Sequence, residues 1–164
     1  MRHVISILLE NESGALSRVA GLFSARAYNI ESLSVAPTVD ASVSRITLVT
    51  KGDEQIVEQI TKQLNKLISV VKLQDLTNTE HLEREMMLLK VKVDEKTREH
   101  VQMMVDIFKA SILSVSPAHF VIEIAGERRK SQEFIDALAP AVVVEIVRSG
   151  SQGISLSDKP MRST

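Results

Sequence analysis

Residues 2–36 read RHVISILLENESGALSRVAGLFSARAYNIESLSVA, and a change of hydrophobic period inside this stretch decides the fold. In residues 2–9, Ile5, Ile7 and Leu9 fall on one side and Val4 and Leu8 on the other, the pattern of a strand buried on both faces. From Ala15 the period becomes 3.6. Leu16, Val19, Ala20 and Phe23 then make one apolar helical stripe, with Ser13 as N-cap. The polar turn between the two elements, Asn11 to Leu16, leads into a helix N-terminus, whose unpaired N–H groups and partial positive charge favour an anion. Gly14, lacking a Cβ, lets a ligand approach the backbone there.

Outward from this stretch, residues 29–36 read as a second strand, Pro37 to Ser42 as a turn, and residues 43–50 as a third strand. Asp53 then caps a helix with Ile56, Val57, Ile60, Leu64 and Leu67 on one side, and residues 70–76 form a fourth strand. The order is βαββαβ, a ferredoxin-like split βαβ motif of the α+β class, with both helices on one face of an antiparallel sheet. Thr77 to Arg84 is polar and lacks strand periodicity, which predicts a linker over 77–84.

The same order then begins again. Met87, Leu89, Val91 and Val93 alternate with polar or outward residues, and Val101, Met104, Val105 and Phe108 make a helical stripe. Residues 112–115 and 119–125 flank Ser-Pro-Ala as paired strands, a short helix follows around 131–138, and residues 142–147 are a valine-rich strand. The predicted organisation is two ferredoxin-like domains in tandem, 1–76 and 85–149. The Ser- and Gly-rich tail, 150–164, is expected to be mobile.

Composition narrows the function. A net charge of −1 in 164 residues provides no basic excess for a nucleic-acid backbone or an anionic membrane. Aromatic residues are only 3% of the chain, which argues against base stacking by an RNA-binding ferredoxin-like domain. Without cysteine there is no disulfide framework, thiol catalysis or Cys-ligated metal. No window reaches the roughly 18 to 20 apolar residues of a membrane-spanning helix, and the N-terminus reads as a strand rather than a signal peptide. A cytoplasmic protein is expected.

Catalytic candidates are few. His81, His100 and His119 have no metal-ligand spacing, and Glu83 and Glu85 around Arg84 read as a solvated face. Lys51-Gly52-Asp53 lacks the phosphate-loop pattern, no serine stands in a G-x-S-x-G elbow, and the Met86-Met87 and Met103-Met104 pairs read as core. The turn at Asn11 to Leu16 is different, because Tyr28-Asn29-Ile30 supplies a second polar cluster at the start of the second strand. An amino acid needs N–H donors for its carboxylate, oxygen acceptors for its ammonium and a small apolar cup. Asn11, the backbone of Gly14, Ala15 and Leu16, Asn29 and Ile30 have the chemistry for all three.

The run LLENESGALSRV at 8–19, GLFS at 21–24, YNIESL at 28–33 and SRIT at 44–47 closely resembles the regulatory small subunits of acetohydroxyacid synthase. The segments HLEREMMLLK at 81–90 and VRSG at 147–150 extend the resemblance into the second half. The resemblance implies that residues 1–76 are an ACT domain. It also implies a non-catalytic subunit that binds and activates a catalytic large subunit and confers feedback inhibition by valine. No cofactor is then expected in this chain; thiamine diphosphate, Mg and FAD are expected in the partner. ACT domains of this kind pair side by side, so a homodimer is implied, with Asn11, Gly14, Ala15 and Leu16 of one chain facing Asn29 and Ile30 of the other. Ala27 stands where many members have Gly; if φ is positive there, Ala costs on the order of 1 kcal/mol. The alternatives are an ACT-domain sensor of another amino acid serving a different enzyme or a transcription factor, and a small enzyme in its own right.

Overall fold

The two-faced alternation of β1 (Arg2–Glu10) places it at the centre of a sheet. The structure, a computed structural model, describes residues 1–162; Ser163 and Thr164, the end of the expected tail, lie outside the described residues. After β1 come α1 (Ala15–Ser24), β2 (Ile30–Pro37), β3 (Val43–Lys51), α2 (Glu54–Leu64) and β4 (Val70–Asp75), in the predicted βαββαβ order. The strands run β2-β3-β1-β4, with every pairing antiparallel and β1 matched to β3 from Arg2 opposite Lys51 to Glu10 opposite Val43. Ile5, Ile7, Leu9, Ile46 and Leu48 pack beneath Val19 and Phe23 of α1 and Val57, Ile60 and Leu64 of α2. Burying such side chains contributes about 1.5–3 kcal/mol each before chain entropy is counted.

The second unit repeats the plan. It contains most of β5 (His81–Lys92), from Glu83 on, with α3 (Arg98–Ile107), β6 (Ser111–Val115), β7 (His119–Gly126), α4 (Arg128–Ala137) and β8 (Val142–Arg148), in strand order β6-β7-β5-β8. Met87, Leu89, Val91, Phe120, Ile122 and Ile124 form its core with Val101, Val105 and Phe134. The repeat extends to a shared helix ending. Tyr28 N–H reaches back to Phe23 C=O (2.9 Å) and Ala27 N–H to Ser24 C=O (3.0 Å); Ala110 N–H reaches Val105 C=O (2.9 Å) and Lys109 N–H Asp106 C=O (3.3 Å). Both are Schellman motifs. Each needs a left-handed residue, supplied by Ala27 at φ 55 and Lys109 at φ 58, where glycine is the usual choice.

Several expectations need correction. Gly14, not Ser13, precedes α1, in the left-handed region at φ 83, and no side chain caps this helix. Leu16 is 38% exposed, so the buried stripe is Ala15, Val19 and Phe23. The expected linker over 77–84 is shorter, because β5 already begins at His81; its first residues are polar and half exposed, which hides a strand from a periodicity reading. Asp53 caps α2 as expected, accepting from Gln55 N–H at 2.7 Å.

The Ser- and Gly-rich tail is placed differently from expectation. It forms β9 (Gln152–Ser155), and Ser151 onward belongs to the same unit as Met1–Leu82, while Glu83–Gly150 form the second. Gly153 N–H donates to Thr47 Oγ1 (3.1 Å), Arg45 Nη2 donates to Gly153 C=O (3.3 Å), and Leu156 N–H to Glu80 C=O (3.0 Å). Gly153 lies against Leu76, Thr47 and Val4, so the second apolar face of β1 meets this segment.

Candidate functional site

The Asn11 to Leu16 turn is built by its backbone. Asn11 N–H donates to Ser42 C=O (2.8 Å) and Asn11 Nδ2 to Ala41 C=O (3.0 Å), which ties the turn to the β2–β3 connection. That connection is itself pinned by Asp40, whose carboxyl is held below its usual range, chiefly by the Ser42 hydroxyl and then by the Ser42 N–H. Asn11 Oδ1 is left as an acceptor without a partner among the described residues. Within α1 the first-turn N–H groups of Leu16 and Ser17 have no partner among the described residues, so they are available donors. Ala15 is buried and contributes backbone only, whereas Leu16 offers an exposed apolar surface beside those donors.

Three residues that periodicity does not single out complete the turn. Arg18 Nη2 donates to Glu12 Oε1 (2.9 Å) and to Ser69 Oγ (2.7 Å), and Ser69 Oγ donates to the same Glu12 oxygen (2.8 Å). Arg18 Nη1 lies 3.2 Å from the position a Cβ on Gly14 would occupy. Gly14 is required by its positive φ, and a Cβ there would also press on the guanidinium. Arg18 and Glu12 are about half exposed, so their ion pair contributes at most about 1 kcal/mol; its main effect is to fix the guanidinium and the Glu12 carboxylate together at the turn. The sequence signal was faint, since the partners stand six and 51 positions away from Arg18.

The second predicted cluster lies at the far end of the same sheet. Ile30 opposes Thr50, which opposes His3, while Asn11 follows Glu10, which opposes Val43. At roughly 3.3 Å per residue, the stretch from His3 to Glu10 separates the two clusters by about 23 Å along the strands. One chain therefore does not bring Asn29 to Gly14. Asn29 is exposed and its side-chain amide has no partner among the described residues, while its carbonyl accepts from Thr50 Oγ1 at 2.8 Å. Ile30 is half-buried against the first core.

Among the described residues no group of three or more His, Asp or Glu could hold a metal ion, and no helix is long and apolar enough to cross a membrane. Three histidines make backbone contacts: His100 Nε2 to Ala137 C=O (2.8 Å), His81 Nδ1 to Thr79 C=O (2.7 Å), and the buried His3 Nε2 to Gly52 C=O (3.3 Å).

Residues 5–72 match the family described as AHAS small subunit-like ACT domain, and residues 84–157 that described as small subunit of acetolactate synthase. The acetolactate synthase isozyme 3 small subunit of Salmonella typhimurium is 49% identical over 163 residues, 99% of this chain and all of that protein. The Escherichia coli protein of the same name is 48% identical over the same length and shares. Among solved structures, the acetolactate synthase small subunit from Thermotoga maritima superposes with a TM-score of 0.87 at 37% identity, covering 97% of this chain and 99% of that one. With both units matched in order and along nearly their whole length, this chain belongs to the family of acetolactate synthase small subunits and carries an ACT domain in its first half.

Proposed function

We propose that the chain is the non-catalytic regulatory subunit that activates the large catalytic subunit and makes it sensitive to feedback inhibition by valine, in the cytoplasm. Thiamine diphosphate, Mg and FAD belong to the catalytic partner in this reading. The observation that carries it is the separation of the two halves of an amino-acid site. Free donors at Leu16 and Ser17 lie at one end of the sheet, and the free Asn29 amide stands at the other.

A second copy resolves this separation. β2 is an edge strand whose outer N–H and C=O groups meet no other strand of the sheet. Two β2 strands paired antiparallel about a two-fold axis would set Ile30 of the partner beside Pro37, the end at which the β2–β3 connection holds Asn11. Asn11, Gly14, Ala15 and Leu16 of one protomer then face Asn29 and Ile30 of its partner. Valine bridging two protomers shifts the dimer toward the geometry it binds better, and that differential affinity sets the coupling to the catalytic subunit.

Complementation tests the shared site. Gly14→Asp and Asn29→Ala chains are each expected to give a valine-insensitive holoenzyme when reconstituted alone with the large subunit. Mixed, they form heterodimers in which one of the two sites has an intact turn and an intact Asn29, so part of the valine inhibition returns. A mixture as insensitive as its components rejects the two-chain site. Calorimetric heat with phenylalanine and none with valine rejects the choice of effector.

A further inference from the structure

The junction from α1 to β2 is fastened more firmly than a surface connection requires. Ala27 is held at φ 55, and the next residue, Tyr28, lays its ring so close over Gly52 that a Cβ there would overlap it. Asp53 N–H donates to Tyr28 Oη at 2.7 Å, and Tyr28 O–H donates to Asp53 C=O at 3.3 Å. Thr50 Oγ1 donates to Asn29 C=O at 2.8 Å. The Asn29 backbone is therefore fixed from both sides, while its side-chain amide remains exposed and without a partner among the described residues. The positive φ at Ala27 belongs to the Schellman ending that α3 shares, so what sets this junction apart is the Tyr28 ring and its bonds to Asp53.

We propose that Tyr28 is a positioning residue: clamped between Gly52 and Asp53, it presents the Asn29 amide to the amino-acid effector, a role that rests on the assignment of Asn29 to the effector site. The α2 N-terminus thereby becomes part of the site without touching the ligand, because Asp53 both caps α2 and receives the phenol. Pre-organisation of this kind increases affinity by removing the cost of ordering the binding group when the ligand arrives.

The test uses the full chain and valine, with affinity read by titration calorimetry and stability by thermal melting. Tyr28→Phe keeps the ring over Gly52 and removes only the bonds to Asp53, and it is expected to weaken valine binding about fivefold, the effect of one net hydrogen bond. Gly52→Ala displaces the whole ring and is expected to weaken binding further. Asn29→Ala serves as the reference and loses measurable binding. A merely structural role predicts a lower melting temperature with affinity unchanged in Tyr28→Phe, and that result, alongside a defective Asn29→Ala, overturns the positioning role alone. Full valine affinity in Asn29→Ala overturns the effector site and the positioning role together.

Discussion

Replacing Ala27 by glycine is expected to stabilise the first unit and weaken its hold on the effector. At φ 55 an L-residue sits in the left-handed region at a cost of about 1–2 kcal/mol, which glycine avoids. Glycine also gives the unfolded chain more freedom, which offsets about 0.4–1 kcal/mol. The net gain is about 0.5–1 kcal/mol, or roughly 3–6 °C for a unit of this size. The chain contains a single tyrosine and no tryptophan, so intrinsic fluorescence in a denaturant titration reports on Tyr28, the residue next to the substitution. The midpoint should rise with an unchanged slope, since the buried surface does not change. Lys109→Gly, at the matching Schellman position of α3, should stabilise the second unit by a similar amount. The effector side has the opposite sign: a more permissive residue before Tyr28 loosens the presentation of Asn29, so valine affinity should fall as stability rises. A lower midpoint in Ala27→Gly would refute the strain account.

Two further outcomes test other parts of the fold. Thr47→Val removes the acceptor of the buried Gly153 N–H, which should cost about 1–3 kcal/mol and speed hydrogen exchange at Gly153; protection equal to the parent would show that this bond does not hold β9. Asp94 accepts from Lys96 N–H (2.9 Å), Thr97 N–H (3.0 Å) and Thr97 Oγ1 before α3, and these bonds hold its carboxyl below the ordinary range. A depressed folded pKa means that this contribution is present above the unfolded value of about 3.9 and is lost as pH falls through the lower folded value. An NMR titration midpoint for Asp94 at or above the ordinary value would contradict it.

Much of the architecture is legible because burial imposes its period on sequence. β1 alternates apolar residues on both faces since helices cover one and the returning C-terminal segment meets the other, and the β5 core positions Met87, Leu89 and Val91 follow the same rule. What escapes is structure made by backbone pairing with little apolar burial. The start of β5 is polar and half exposed, β9 is held by Gly153 N–H to Thr47, and the fit of Gly153 against Leu76 depends on a missing side chain. The residues of the proposed site were singled out by their chemistry, but their spacing in the fold was not legible. Periodicity places Gly14 and Asn29 on successive elements, and only the register shows that α1 carries the chain to the opposite end of the sheet. Arg18, Glu12 and Ser69 form their network through folding alone.

The return of residues from Ser151 onward to the first unit also bears on the order in which this protein is made. A ribosome releases the first four strands long before Gly153 exists, so Val4, Thr47 and Leu76 wait without that cover while the entire second unit is synthesised. The first domain to emerge is thus among the last to be finished. An expressed fragment ending at Leu82 would keep its helices and its core but carry an apolar sheet face that the full-length chain never leaves bare, which makes the domain boundary a poor place to cut.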